Sequence, residues 1–424
     1  MAVLLAIAWL ASVNRRKVMW RVVVWGLALQ LMFAFLILRT GPGEQVFGLL
    51  NDVVVQLLGY TREGSSFLFG NLVNQTIPVG SGTVGNGGFT EIPGQVAQVG
   101  AQLAFDVLPT IVFFSSLVTM LYHIGIMQVF VRGVAFVMQR TMGTSGAETM
   151  SATANIFIGQ VEAPLTVKPF VGRMTNSELM SVMTGGFATV AGGVLAAYVG
   201  MLFVYFPDVG GHLLAASVMS APAALVVAKL MYPEDGEPVT AGTSPIGVER
   251  TDVNVIDAAA RGASEGMRLA LTVGAMLIAF VALIALVNGI VGWAGGLVGL
   301  EDLSLQRVLA WFLAPLAWLM GVPWQDAQEV GGLLGIKTVI NEFVAYVQFA
   351  GALGEGANLH PRSIVIATYA LSGFANFASI AIQLGGIGDI APERRGDLAK
   401  LGVRAMVGGT IAAFLTATIA GILL

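Results

Sequence analysis

The chain has 424 residues, of which 56% are hydrophobic and 11% are charged, with a formal net charge of −4. Soluble domains carry about 25% charged residues, so this composition, with a mean hydropathy of +0.81, excludes an ordinary soluble protein. The absence of cysteine excludes disulfides, thiolate catalysis and Cys-ligated zinc. No basic stripe indicates a nucleic-acid partner.

Eight apolar stretches predict eight transmembrane helices in an all-α integral membrane protein. The first covers only residues 1–11, and because basic residues follow it rather than precede it, it does not resemble a secretory signal. We interpret it as a span that is short or has lost its beginning. The others cover residues 22–38, 106–131, 179–205, 213–232, 269–293, 363–388 and 402–424, each near or above the ~18 residues that a bilayer core requires.

Lysine and arginine residues divide unevenly between alternate loops. Sixteen of the 21 lie in one set, and the other set holds only Arg39, Arg62, Arg307, Lys337 and Arg362. The positive-inside rule assigns the richer set to the cytoplasm, so both termini are expected to be periplasmic. Residues 149–167 must then enter and leave by the inner face, and residues 322–352 by the outer face. The charges therefore predict two opposed re-entrant hairpins.

The two halves of the chain show the same order of features. Residues 135–164 resemble residues 313–343, since both give an apolar helix end, a Met-Gly pair, a polar turn, a weakly apolar helix and a polar tip. Three predicted crossings separate the hairpins, and an odd number makes the second repeat inverted relative to the first. Inverted repeats with broken helices are typical of transporters that bind substrate near the membrane midplane.

Two acidic residues stand at the predicted hairpin tips. Glu162 lies between Gly159 and Pro164, which both interrupt helices, and Glu342 occupies the matching place in the second hairpin. A charge inside a bilayer costs at least ~2.5–3.5 kcal/mol on insertion scales, so both acids are candidate binding residues. Two alternatives stay open. Glu162 could only cap a half-helix, and Glu342 could only pair with Lys337.

Further polar residues favour a neutral, polyhydroxylated solute. Asn376 and Ser379 lie three apart on one predicted helix face, although they could also serve only as interhelical hydrogen-bonding groups. Thr189 occupies the position in the first repeat that Asn376 holds in the second. Carboxylates accept hydrogen bonds from hydroxyls, and amides both donate and accept. Asn155, Thr189 and carbonyls beside the first tip are oxygen donors of the kind that Na⁺ requires.

Two other classes of membrane protein fit the sequence less well. A channel could use the same polar residues but would not need two opposed hairpins. An intramembrane hydrolase would need a nucleophile–base pair or paired aspartates within spans, and no membrane-embedded aspartate pair is present. We therefore predict a transporter and not an enzyme.

Three motifs resemble the concentrative nucleoside transporter family: GQVEAP (159–164), NEFVAY (341–346) and SGFANFASIAIQLGGIG (372–388). The resemblance extends over nearly the whole chain. It implies a Na⁺-driven symporter that imports uridine-like nucleosides by an elevator movement, as a homotrimer surrounded by lipid in a bacterial inner membrane. Coupling to H⁺, with Glu162 or Glu342 as the proton carrier, is the alternative.

The resemblance also implies individual roles. The residues it assigns to the nucleoside are Gln160, Val161, Glu162, Val194, Glu342, Phe374, Asn376 and Ser379. The first four would contact the nucleobase, and the last four the ribose. The residues it assigns to Na⁺ are Asn155, Ile158, Thr189 and Val190, with Ile158 and Val190 acting through backbone carbonyls. Val161 replaces a Thr or Ser that is frequent in the family, which leaves the base preference open.

The same resemblance divides the chain into a scaffold domain and a transport domain. Residues 1–140 would be mainly scaffold, and residues 266–304 would add one scaffold span. Residues 141–232 and 305–424 would form the two halves of the transport domain. Residues 233–265 would be a cytoplasmic linker.

Overall fold

A computed structural model describes all residues except 75, 83–89, 99–102, 243–251, 298 and 301–302. Helices dominate this part of the chain. They are α1 (Ala2–Leu10), α2 (Trp20–Arg39), α3 (Gly41–Phe69), α4 (Leu108–Ile124), α5 (Ile126–Met142), α6 (Gly146–Ala154), α7 (Glu162–Leu165), α8 (Lys168–Val171), α9 (Asn176–Ala188), α10 (Gly192–Leu202), α11 (Val209–Met231), α12 (Val255–Leu297), α13 (Leu305–Leu319), α14 (Trp324–Val339), α15 (Glu342–Gly354), α16 (Pro361–Leu371), α17 (Phe377–Ile390) and α18 (Arg395–Leu423). An antiparallel pair of strands, β1 (Thr76–Ser81) and β2 (Thr90–Gln98), departs from the all-α prediction.

Six of the eight predicted spans correspond to helices that are long and apolar enough to cross a membrane: α2, α4 with the short π-helix Leu103–Val107 before it, α9–α10, α11, α12 and α18. The first predicted span is α1, which has only nine residues. The predicted end of the third span, at residue 131, is wrong. Gly125 adopts a φ of +100°, which ends α4 and begins α5.

Each predicted re-entrant segment consists of helices that are interrupted at a tip. The first hairpin (residues 146–171) runs through α6, a series of turns at 155–161, and then α7 and α8. The second hairpin (residues 324–354) consists of α14 and α15. Asn341 caps α15, because its Oδ1 accepts a hydrogen bond from the N–H of Val344 at 2.8 Å. At each interruption the helical backbone hydrogen bonding stops, inside a buried or half-buried segment.

Two of the predicted continuous spans are in fact broken. The first break, residues 189–191, separates α9 from α10, and the second break, residues 372–376, separates α16 from α17. Gly373 adopts a φ of +108°, and a Cβ atom at this position would lie 2.8 Å from the carbonyl oxygen of Phe187. The two breaks therefore lie against each other, at a distance that only glycine permits.

The element order of α5–α11 recurs in α13–α18. Gly143 and Gly321 follow α5 and α13 with φ values of +75° and +107°. A left-handed glycine commonly ends a helix, and here each one directs the chain into the first helix of a hairpin. A hairpin, a broken span and an unbroken span then follow in both halves. This order supports the predicted repeat.

Helix α12 packs closely along α4 through small residues. A Cβ at Gly262 would lie 2.6 Å from Thr119 Oγ1, and one at Gly266 would lie 2.8 Å from the Cα of Val112. Such contacts allow helix backbones to approach within a membrane. Since α12 has 43 residues, it is about 65 Å long and extends beyond the ~30 Å hydrocarbon core.

Lys229 and Lys337 are buried helix residues. The division of basic residues between loops on the two sides of the membrane therefore counted both of them wrongly as loop residues. Both are at most 2% exposed. The ammonium of Lys229, on α11, lies 2.8 Å from a carboxylate oxygen of Glu148 on α6 and 3.1 Å from one of Glu234. Glu148 in turn accepts a hydrogen bond from the backbone N–H of Ser145 at 2.8 Å. This charge cluster ties the first hairpin to α11.

Candidate functional site

One cavity of about 170 Å³ lies where the two hairpin tips, α10 and α17 face α12. All eight residues that the sequence analysis assigns to the nucleoside line it. They are Gln160, Val161, Glu162, Val194, Glu342, Phe374, Asn376 and Ser379. The fold therefore brings together side chains separated by more than 200 positions in the sequence.

Glu342 is held by two hydrogen bonds at the first turn of α15. Its Oε1 accepts from the hydroxyl of Tyr198 at 3.2 Å, and its Oε2 accepts from the Nδ2 of Asn376 at 2.7 Å. Tyr198 is itself fixed by stacking on Tyr346, with ring centroids 4.1 Å apart. A carboxylate has about four lone-pair sites, so each oxygen retains the capacity to accept one more hydrogen bond from a bound hydroxyl.

Asn376 and Ser379 have a different local setting from the one predicted. Asn376 is the N-cap of α17, because its Oδ1 accepts from the backbone N–H of Ser379 at 2.9 Å. The side chains thus lie at a helix start beside the second break rather than in the middle of a continuous helix. The cap orients the Asn376 amide, so that its Nδ2 points to Glu342.

Lys337 does not form the ion pair that the sequence left open. Its ammonium donates hydrogen bonds to the carbonyl oxygens of Ala370 and Ser372, at 2.7 and 3.3 Å. These carbonyls belong to the end of α16 and to the second break, where backbone acceptors lack helical partners. Lys337 therefore stabilises the second break, while Glu342 is bound by Tyr198 and Asn376.

The first hairpin contributes the opposite wall. The carboxylate of Glu162 lies over Gly159, since a Cβ at Gly159 would be 2.2 Å from a Glu162 carboxylate oxygen. Val161 packs on Gly386 of α17, where a Cβ would be 2.3 Å from its side chain. Glu162 also begins α7, so it occupies the helix-start position and lines the cavity at the same time.

Helix α12 supplies a wall that the sequence analysis missed. Its contribution consists of Leu269, Thr272, Val273, Met276 and Leu277. The spacing of three and four residues identifies one helical face. Because α12 is apolar nearly all round, however, periodicity alone could not show which of its faces meets the hairpins. Phe343, next to Glu342 on α15, also lines the cavity and was missed.

The four residues assigned to Na⁺ lie beside the cavity rather than in its lining. Asn155 is fully buried, and its Nδ2 donates to the carbonyl of Ser151 at 3.1 Å, whereas its Oδ1 has no partner among the described residues. The Thr189 hydroxyl donates to the carbonyl of Gly185 at 3.0 Å. A Cβ at Gly185 would be 3.5 Å from Asn155 Nδ2, so Asn155 and Thr189 flank the same residue.

The turns of the first hairpin contact the first break directly. The carbonyl of Phe157 accepts a hydrogen bond from the N–H of Gly192 at 3.0 Å. This contact brings the segment that contains Ile158 next to the segment that contains Val190. An orphaned buried oxygen costs about 1–3 kcal/mol, and a hard cation would satisfy it. The donor set of side-chain and backbone oxygens fits Na⁺.

Comparisons with known proteins agree with this geometry. Sequence models of three families match: the N-terminal part of Na⁺ dependent nucleoside transporters over residues 1–72, nucleoside recognition (Gate) over 104–203, and the C-terminal part of Na⁺ dependent nucleoside transporters over 212–421. An uncharacterized transporter of Haemophilus influenzae is 45% identical, with 100% of this chain and 96% of that protein covered. Sodium/nucleoside cotransporter 1 of Rattus norvegicus is 40% identical, and the match covers 99% of this chain and 62% of the rat protein.

A solved structure is similar over the whole chain. CNTnw in an inward-facing substrate-bound state is 44% identical and gives a TM-score of 0.87, with 100% of this chain and 96% of that chain covered. A doubly substituted CNTnw in an outward-facing state is 43% identical and also gives a TM-score of 0.87, with 100% and 95% covered. The similar proteins thus include structures in two alternate states.

Proposed function

The chain belongs to the concentrative nucleoside transporter family, and on this premise we propose that it imports nucleosides by Na⁺-driven symport. Members of this family are multi-pass membrane proteins that depend on Na⁺ and are not enzymes. One observation carries the proposal: a single cavity joins the carboxylate of Glu342 to the amide of Gln160 and the carboxylate of Glu162 on the opposite wall. The two walls match the two polar ends of a nucleoside.

In this proposal the ribose binds at the second hairpin. Its hydroxyls donate to the free lone pairs of Glu342, and Asn376 and Ser379 complete the polar contacts. The base lies toward Gln160 and Glu162, whose groups donate to and accept from its edge. Val194, Phe374 and the apolar face of α12 cover its ring. We propose a uridine-like nucleoside as the substrate; Val161, which lacks the hydroxyl that is frequent at this position in the family, does not itself set the base preference.

Na⁺ coupling is favoured over H⁺ coupling by the oxygen atoms near Asn155. The unpartnered Oδ1 of Asn155 and the hydroxyl of Thr189 are neutral oxygens, which bind a cation without releasing a proton. The carbonyls of Ile158 and Val190 would complete the set. Because Asn155 and Ile158 lie in the turns that also place Gln160 and Glu162, cation binding would order the base-facing wall.

We further propose an elevator movement within a homotrimer. The cavity lies between the hairpins and α12, so a transport domain (141–232 and 305–424) sliding along a scaffold (1–140 and 266–304) would carry the substrate across the membrane. Residues 233–265, part of which falls outside the described residues, would be the cytoplasmic linker. Eight spans, an inverted second repeat, periplasmic termini and an inner-membrane location complete the proposal.

Uptake by purified protein in proteoliposomes tests the coupling. We expect an inward Na⁺ gradient to accelerate uridine uptake and a pH gradient without Na⁺ to have no effect. Asn155→Leu should abolish the Na⁺ stimulation while leaving the protein folded, as judged by its melting temperature. Uptake driven equally well by a pH gradient without Na⁺ would overturn the Na⁺ assignment in favour of H⁺ coupling. The absence of uptake for every nucleoside would overturn the substrate class.

A further inference from the structure

A buried glutamine on α17 lies behind the base-facing wall of the cavity. Gln383 is fully buried and does not line the cavity. Its Nε2 donates two hydrogen bonds, to the Oε1 of Gln160 at 2.9 Å and to the backbone carbonyl of Met183 at 3.1 Å. Gln383 therefore links a residue of the cavity to the backbone of α9.

The carbonyl of Met183 determines how both amides are oriented. A backbone carbonyl can only accept a hydrogen bond, so the amide group of Gln383 that faces it must be its NH₂. The second hydrogen of this NH₂ then requires an acceptor, which is the Oε1 of Gln160. Because the Gln160 Oε1 is directed at Gln383, which does not line the cavity, the NH₂ of Gln160 is the amide group that it can turn toward a ligand.

The surrounding packing keeps this arrangement in place. Gly186 of α9 lies against the pair, and a Cβ there would be 2.7 Å from both the Gln160 Cβ and the Gln383 Nε2. Any larger residue would therefore push the two side chains apart. Met183 and Gly186 both belong to α9. One helix therefore supplies the carbonyl that accepts from Gln383 and the room that the two glutamine side chains need.

We propose that Gln383 is a positioning residue that fixes Gln160 as a hydrogen-bond donor, so that the site selects nucleobases presenting an acceptor to Gln160. The inference rests on the proposed function, because it requires that the base faces the first hairpin. A rotated Gln160 would present its oxygen instead and would oppose the base acceptor. Selectivity at the base edge thus depends on a residue that does not touch the substrate.

The Gln383→Glu variant tests this role. A carboxyl group carries at most one hydrogen, so it cannot donate to both Met183 and Gln160, and the Gln160 amide should rotate. We expect the Kd of uridine to rise about tenfold or more, since one hydrogen bond is lost and an acceptor is left facing an acceptor. The Kd of a ribosyl analogue with phenyl in place of the base should stay within about threefold, because phenyl makes no such bond.

Equal losses for uridine and for the phenyl analogue would show a merely structural role and would overturn the proposal, as would an unchanged uridine Kd. If the buried carboxyl of Gln383→Glu prevents folding, Gln383→Leu provides the second test. It should also weaken the binding of uridine more than the binding of the phenyl analogue. In a Gln160→Leu background, Gln383→Glu should have no further effect on uridine, because the amide it orients is gone. A further loss there would also count against the proposal.

Gly385→Ala on the same helix is the matched control, since a Cβ at this position meets nothing within 4 Å. It should leave both ligands unaffected. Failure of the unsubstituted protein to bind any nucleoside would instead refute the proposed function, an outcome separate from those that concern Gln383.

Discussion

Replacement of Glu342 by glutamine isolates the charge of the ribose-facing carboxylate. Glutamine has nearly the same shape, and the present partners permit it: its oxygen can accept from Asn376 Nδ2, while its NH₂ can donate to the Tyr198 hydroxyl, which also accepts. The local structure should therefore persist. What changes is the ability to accept hydrogen bonds from two further hydroxyls.

The magnitude follows from the geometry at Glu342. Each carboxylate oxygen already accepts one hydrogen bond and has one lone pair left for a ribose hydroxyl. Bonds to a charged group contribute about 1.5–3 kcal/mol and neutral ones about 0.5–1.5 kcal/mol. In Glu342→Gln one bond becomes neutral and the other is lost to the NH₂. The expected loss is about 2.5–4.5 kcal/mol, or roughly 60- to 2,000-fold in the Kd of uridine.

Equilibrium binding of radiolabelled uridine to purified protein in saturating Na⁺ measures this loss. The matched ligand is 2′,3′-dideoxyuridine, which lacks both hydroxyls. Its affinity for the unsubstituted protein should already be low, and Glu342→Gln should lower it little further. Wild-type affinity of Glu342→Gln for uridine would refute the assignment of this residue to the ribose. An equal loss for both ligands would refute the hydrogen-bonding argument.

Two further predictions concern stability and are measured as melting temperatures in detergent. Gly373→Ala should destabilise the protein by about 1–3 kcal/mol, because alanine is strained at a positive φ and its Cβ would press on the Phe187 carbonyl. Gly385→Ala is the neutral control. Equal melting temperatures for the two variants would contradict the close contact of the breaks. Lys229→Met should cost about 3–5 kcal/mol by leaving the Glu148 carboxylate buried without its partner. Adding Glu148→Gln should restore part of that loss, and a fully stable single variant would show that the cluster is not a buried ion pair.

Much of the substrate site can be predicted from the amino-acid sequence. Acids at interrupted hairpins are costly inside a bilayer, so charge and context identify Glu162 and Glu342. The motifs around them then identify six more of the residues that line the cavity, but not the face of α12 or Phe343. The helix caps and the breaks within spans are harder to predict from the sequence. The predicted span 363–388 has the pattern of one apolar helix, because Gly373 and Asn376 could as well lie within a helix as end one.

The sequence by itself determined the membrane class, the two hairpins with their acids, the repeated order of elements and eight of the residues that line the cavity. These follow from local features: apolar length, glycine and proline positions, charge distribution and short motifs. The tertiary structure alone decided that the two broken spans meet at Gly373, that α12 closes the cavity, and that Gln383 and Tyr198 orient Gln160 and Glu342. Each of these depends on which helix faces pack together, and a uniformly apolar helix carries no periodic signal that identifies its buried face.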